Sequence, residues 1–221
     1  MELKYCSMIA FLLLVGSVQA AENQNTRGSQ TNHLNYDYLY ADLSSGSLRE
    51  DSDSKNATAL AVGVNYLWND NLLFTLDYSA RFIHPADVTT ELYTLLPGVA
   101  YRFPLADKLD LVAGAKLGYL WGKQSLDSTN EKLFSDNNGS FGASLAVKYA
   151  FFSNWELASS IEINRADFVE ENLFQIRADY QFAKDFTFGA FYTYRKSEFE
   201  TVRIKGKTTT SEGGIALRYL F

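Results

Sequence analysis

Leu72-Leu73-Phe74-Thr75-Leu76-Asp77-Tyr78-Ser79-Ala80-Arg81-Phe82-Ile83 alternates apolar and polar with hardly a break. Leu72, Phe74, Leu76, Tyr78, Ala80 and Phe82 form one set; Leu73, Thr75, Asp77, Ser79 and Arg81 form the other. Successive side chains of a strand point to opposite faces, so this period of two predicts a strand with one apolar and one polar face. Strands in soluble proteins average about 5 to 6 residues. A tilted strand that crosses a bilayer needs about 9 to 11.

Nine further segments share the pattern. The expected set is 34–43, 57–68, 72–83, 92–103, 109–121, 139–151, 155–164, 173–182, 186–195 and 211–221. Short connections (69–71, 104–108, 152–154, 183–185) alternate with longer ones (44–56, 84–91, 122–138, 165–172, 196–210). The fold expected is all-β: a transmembrane antiparallel up-and-down β-barrel of ten strands, with the short turns periplasmic. Eight strands is the alternative, should the first segment or the one holding Pro97 fail to pair. Pro97 cannot donate to a ladder and predicts a bulge or an imperfect strand. A soluble carrier barrel shows the same period with the apolar face turned inward.

Five aromatic pairs close these runs: Tyr66 and Trp68, Tyr101 and Phe103, Tyr149 and Phe151, Tyr180 and Phe182, Tyr219 and Phe221. Each pair sits two residues apart, on one face, at or beside a short turn. Such pairs at one height make the aromatic girdle of a membrane interface, because these rings carry an apolar body and, in Tyr and Trp, a polar tip. Phe82, Tyr119, Trp121, Tyr192 and Tyr194 are the rings expected near the opposite interface.

The N-terminus reads as a secretory signal peptide. Lys4 precedes the apolar run 9–15, and Val18-Gln19-Ala20 offers cleavage after Ala20. That gives a signal at 1–20, a short polar periplasmic segment at 21–33 and the barrel at 34–221. The run is too short for a spanning helix, which needs roughly 20 apolar residues. The single cysteine, Cys6, falls within the signal. The mature chain thus offers no disulfide, thiolate nucleophile or thiolate metal site. A formal net charge of −6 argues against a nucleic-acid partner.

With the aromatic face toward lipid, the other face fills a lumen. Its acids are expected to be Asp37, Asp77, Asp110, Glu156, Glu162, Asp179 and Glu212. Its bases are Arg81, Arg102, Lys116, Lys148, Arg177, Arg195 and Arg218. Buried charges persist when paired, so balanced signs predict an ion-pair network that closes the lumen. Water-filled channels need about 16 strands. Gly63, Gly98, Gly114, Gly118, Gly142 and Gly189 fall on the same face and leave room for long side chains.

The C-terminal Gly213-x-Ile215-x-Leu217-x-Tyr219-x-Phe221, with the strand rhythm, resembles the small outer-membrane β-barrel families of Gram-negative bacteria, the OmpA- and OmpX-like barrel superfamily. The resemblance implies an outer-membrane location. Its partners would be outer-membrane lipids, lipopolysaccharide and the barrel-assembly machinery, which would read Phe221. It implies a monomer without cofactor or metal.

Members include adhesins, wall-anchoring barrels, narrow pores, surface proteases and lipid-modifying enzymes, and fold alone does not choose among them. The leading expectation is a non-enzymatic structural or surface-interaction barrel acting through its extracellular loops. A narrow, porin-like solute channel is the first alternative.

A rim hydrolase of the surface-protease type is the second alternative. It would use His84 with Asp87 against acids such as Asp167, Glu170 and Glu171. His33 reads as a solvated lead-in residue. A lipid-facing Ser–His site fails on parity, since Ser79 falls on the inner face. Arg203, Lys205 and Lys207 form a basic patch in the fifth loop, suited to an anionic glycan or to solvent.

Overall fold

Ten strands follow one another in the computed structural model, which describes residues 34–49, 56–84, 88–129, 131–200 and 205–221. They are β1 (Tyr38–Arg49), β2 (Asn56–Leu67), β3 (Leu72–His84), β4 (Val88–Ala106), β5 (Leu109–Leu126), β6 (Lys132–Phe152), β7 (Trp155–Ala166), β8 (Val169–Ala183), β9 (Phe186–Glu200) and β10 (Lys205–Leu220). Every neighbour pairs antiparallel, and β1 pairs with β10 to close the barrel. Closure removes the sheet edge that lipid could not satisfy. The signal peptide, its cleavage point and the segment to His33 lie outside the described residues, as do Glu50, Asp51, Asp53, Asp87, Arg203 and Ile204.

The alternation in sequence sets which face turns in. On β3, Leu73, Arg81 and Ile83 are buried while Phe74 is exposed. Outward residues stay exposed although they are large and apolar: Leu117 is 67% exposed and Trp68 64%. An apolar exterior around a charged interior is the reverse of a soluble carrier barrel, and it suits a lipid surround.

The four tight turns follow from their residues. Between β2 and β3, the side-chain oxygen of Asn69 accepts from the amides of Asn71 (3.0 Å) and Leu72 (2.8 Å). This local mimic of a backbone turn is what Asn supplies.

Three expectations need correction. The first concerns β1, which runs from Tyr38 to Arg49 rather than over 34–43. Its inward residues include Tyr38 and Ser44, both buried, so Asp37 is off the inner face. Asp37 instead accepts the Leu67 amide at 2.7 Å at the tight-turn end.

The second concerns the longer connections, which are mostly strand. The pairing of β5 with β6 reaches Ser125 opposite Lys132, and β7 and β8 are joined by Asp167 and Phe168 alone. Polar cross-strand pairs carry these extensions: Lys123 with Glu91 at 3.1 Å, and Gln124 with Thr90 at 3.1 Å. Such pairs hold a ladder together without an apolar face.

The third concerns Pro97, where the imperfect strand is found and the bulge is not. β4 keeps one register with β5 from Leu95 opposite Tyr119 to Gly98 opposite Lys116, and only the pairing between them lapses. There the Leu95 carbonyl comes so close to Gly118 that an added Cβ would sit 1.9 Å from it. A glycine is needed at that approach.

Candidate functional site: the closed lumen

The tight-turn end is stopped by the chain just before β1. Leu34 and Tyr36 are buried with Leu67, Leu73 and Ala150. The Tyr36 hydroxyl donates to Asp110 at 2.6 Å, and Arg102 Nε donates to the same carboxylate at 2.6 Å. Asp110 is fully buried, so its charge depends on these donors. Burial, then the bond to Asp110, pushes the Tyr36 phenol above its usual range and keeps it protonated. Lys148 lies over the same ring, 4.6 Å from its centre, and Arg102 lies 5.2 Å from it. A cation over a ring face is attracted by the ring quadrupole.

Above this stop, opposite charges alternate in a chain. Lys148 reaches Glu156 at 3.4 Å, and Glu156 meets Arg218 at 3.1 Å. Arg218 meets Asp179 at 3.0 Å, Asp179 meets Arg177 at 2.9 Å, and Arg177 meets Asp42 at 2.7 Å. A second group joins Lys116 to Asp77 at 3.0 Å and to Glu162 at 3.1 Å, with the Tyr40 hydroxyl donating to Asp77. Glycines make the room. A Cβ on Gly63 would stand 2.6 Å from the Tyr40 ring, and one on Gly98 would stand 2.7 Å from Lys116. On Gly189 it would stand 2.0 Å from Asp179.

Nearer the hairpin end, two arginines and two glutamates form a box. Arg81 reaches Glu171 at 2.6 Å and Glu212 at 3.4 Å, while Arg195 reaches the same two at 2.9 and 3.7 Å. Ser197 donates to Glu171 (2.7 Å), and Thr210 and Ser44 donate to Glu212 (2.8 and 3.1 Å). A cavity of about 100 Å³ adjoins the box, lined in part by Ser79, Thr94, Gln175 and Thr193. Ala59, Ala61, Leu92, Leu120 and Phe191 also line it, so the lining is mixed. Over the box, Leu48, Ala57, Ile83, Leu92, Leu120, Phe168 and Val169 make an apolar cap. Phe168 comes from the β7–β8 turn, and its ring fills the space above Gly122, where a Cβ would stand 2.7 Å away.

Every member of the expected lumen set except Asp37 lies in one of these groups. Two acids were missed. Asp42 takes the place given to Asp37, which leaves seven acids; Glu171, expected in a loop, makes eight against seven bases. Glu171 shares its parity with Arg177 and Asp179, so carrying the alternation one more step would have found it.

The aromatic pairs lie outward at the tight-turn end, with ring contacts within strands and between some neighbours. Tyr101 and Phe103 are 4.8 Å apart, Trp155 and Tyr180 are 5.0 Å apart, and Phe186 and Tyr219 are 5.2 Å apart.

Two of the acids set against His84 are already paired. Glu171 is held by Arg81 and Arg195, and Glu170 lies 3.3 Å from Arg165. Nδ1 of His84 is buried without a partner among the described residues, and Asp87 lies outside them. Those residues contain no cluster of three or more metal-ligating side chains.

No curated protein matches the sequence. Among solved structures, Neisserial surface protein A is 18% identical, with a TM-score of 0.48 over 83% of this chain and 96% of that one. Ail, the attachment invasion locus protein of Yersinia pestis, is 12% identical, with a TM-score of 0.40 over 85% of this chain and 100% of that one. The KdgM porin is 9% identical, with a TM-score of 0.40 over 83% and 99%. The family model for the outer membrane protein beta-barrel domain matches residues 8–192, most of the sequence and the greater part of this closed barrel. The chain belongs to that outer-membrane β-barrel family.

Proposed function

We propose that this protein is a closed, non-conducting outer-membrane barrel with a structural or surface-interaction role, presenting its hairpin end to the exterior. The termini and tight turns face the periplasm, the barrel is a monomer, and Phe221 is read by the assembly machinery. The observation that carries this reading is the double stop. Tyr36 with Asp110 and Arg102 fills one mouth, and the cap around Phe168 fills the other. An ion crossing the lumen would have to part paired charges from one another in a desolvated space, which is costly.

Planar-bilayer conductance of the refolded barrel tests the proposal. Wild type is expected to be silent. Arg102→Ala/Asp110→Ala loosens one mouth only and is expected to stay silent. Adding Phe168→Ala is expected to give a conductance. Stable steps in wild type would overturn the closed-lumen reading. They would favour the narrow channel, for which the cavity beside the arginine–glutamate box is the supporting observation.

A further inference from the structure

The outer face of β7, β8 and β9 changes character abruptly at the hairpin end. Ile161, Phe174 and Tyr194 lie in one transverse row, set by the pairings Ile161 with Phe174 and Phe174 with Tyr194. The next row toward the hairpin end is Ile163, Asn172 and Lys196. These rows stand at a definite height. A strand rising about 3.3 Å per residue and tilted by about 40° climbs roughly 2.5 Å per residue along the barrel axis. Asn172 and Lys196 are ten residues from Phe182 and Phe186 at the tight-turn girdle. Ten residues climb about 25 Å, the height of the apolar band of such barrels. The Asn172–Lys196 row therefore stands where acyl chains end and lipid headgroups begin.

The polar groups of that row left to meet an outside partner are donors. Arg165 Nη2 donates to the side-chain oxygen of Asn172 at 3.1 Å, which leaves the Asn172 amide N–H2 to point elsewhere. Lys196 lies across from it on the adjacent strand, 5.9 Å from the centre of the Tyr194 ring. No ion pair involves Lys196 among the described residues. The row beyond is self-neutral: Glu170 meets Arg165 at 3.3 Å, and Glu198 meets Lys207 at 2.7 Å. Lys207, the described side chain of the fifth-loop basic patch, is thereby occupied. On the opposite flank the same height carries aromatic rings instead, with Phe82 against Tyr93 and Tyr119 stacked on Trp121.

We propose that Asn172 and Lys196 hold a phosphate group of lipopolysaccharide on the outer wall of the barrel, with Phe174 and Tyr194 against its acyl chains. An ammonium and an amide across one strand pair place donors about 5 Å apart at their Cβ atoms, near enough for one phosphate to accept from both. The proposal rests on the orientation given above, since only the outer leaflet carries this phosphorylated glycolipid.

The test is binding of purified lipid A to the full refolded barrel in detergent, read by native mass spectrometry, with dephosphorylated lipid A and phosphatidylglycerol as comparators. Wild type is expected to prefer lipid A to its dephosphorylated form about tenfold, the effect of one charge-assisted hydrogen bond. Lys196→Gln and Asn172→Asp are expected to erase that preference while leaving the unfolding midpoint in place. A preference that survives both variants, or is absent from wild type, overturns the site. Equal binding of phosphatidylglycerol overturns the assignment to lipopolysaccharide. Conductance does not enter this assay, so the lipid site and the closed lumen fail separately.

Discussion

The two ends of the lumen are stopped by different chemistry. At the tight-turn end a small apolar cluster is joined by a directional contact, with one tyrosine hydroxyl and one guanidinium converging on a fully buried carboxylate. At the hairpin end the stop is aliphatic and aromatic packing around Phe168, with no charge in the cluster. Both exclude water, but they should fail differently. A directional stop breaks when one partner leaves, because the remaining charge is stranded. A packed stop loosens in proportion to the volume removed.

Substitutions at each end sharpen that contrast. The largest effect is expected for Asp110→Ala, which strands Arg102 and the Tyr36 hydroxyl. The cost should be about 3 to 5 kcal/mol, read from equilibrium unfolding of the refolded barrel. An effect below that of the packing variants would mean that water reaches Arg102. Phe168→Ala removes a ring from the cap and should cost about 3 kcal/mol by the same measurement, while the tight-turn end keeps its structure. A neutral outcome would show that the β7–β8 turn does not seal the mouth.

Tyr36→Phe removes only the hydroxyl and should cost roughly 1.5 to 3 kcal/mol, the range for a bond to a charged group. Since the ring remains, conductance should stay silent; an opened barrel would place the whole stop in that single bond. The smallest effect belongs to Lys207→Ala, which breaks a pair exposed on both sides. Its cost should be within about 1 kcal/mol and should shrink further in high salt.

β1 is where reading the sequence by aromatic parity failed. Elsewhere the rings turn outward, and that rule set the inner face. In β1 and just before it, Tyr36, Tyr38 and Tyr40 turn inward, because a tyrosine can face either side if its hydroxyl finds a partner. Those partners are distant in sequence: Asp110 for Tyr36, Asn65 for Tyr38 and Asp77 for Tyr40. No local pattern announces them, so aromatic parity alone points Asp37 into the lumen and Asp42 away from it. Glu171 was missed for a different reason. Its parity was readable, but the apolar alternation fades at Asn172, where polar residues begin to face outward. There the ladder continues on cross-strand pairing alone.

The ten-stranded alternation, the tight turns, the outward aromatic pairs and most of the charged face are legible in the chain, because each follows from a period of two or from a turn residue. Arg177 with Asp179, Arg102 with Asp110 and Lys148 with Glu156 meet within a strand or a hairpin, but the pairs that cross the lumen need barrel closure. Closure brings β1 beside β10 and sets Asp42 against Arg177 across the lumen. The two stops are likewise tertiary. Tyr36 and Phe168 lie outside the strands, and their burial depends on an interior that exists only once the ring of strands has closed.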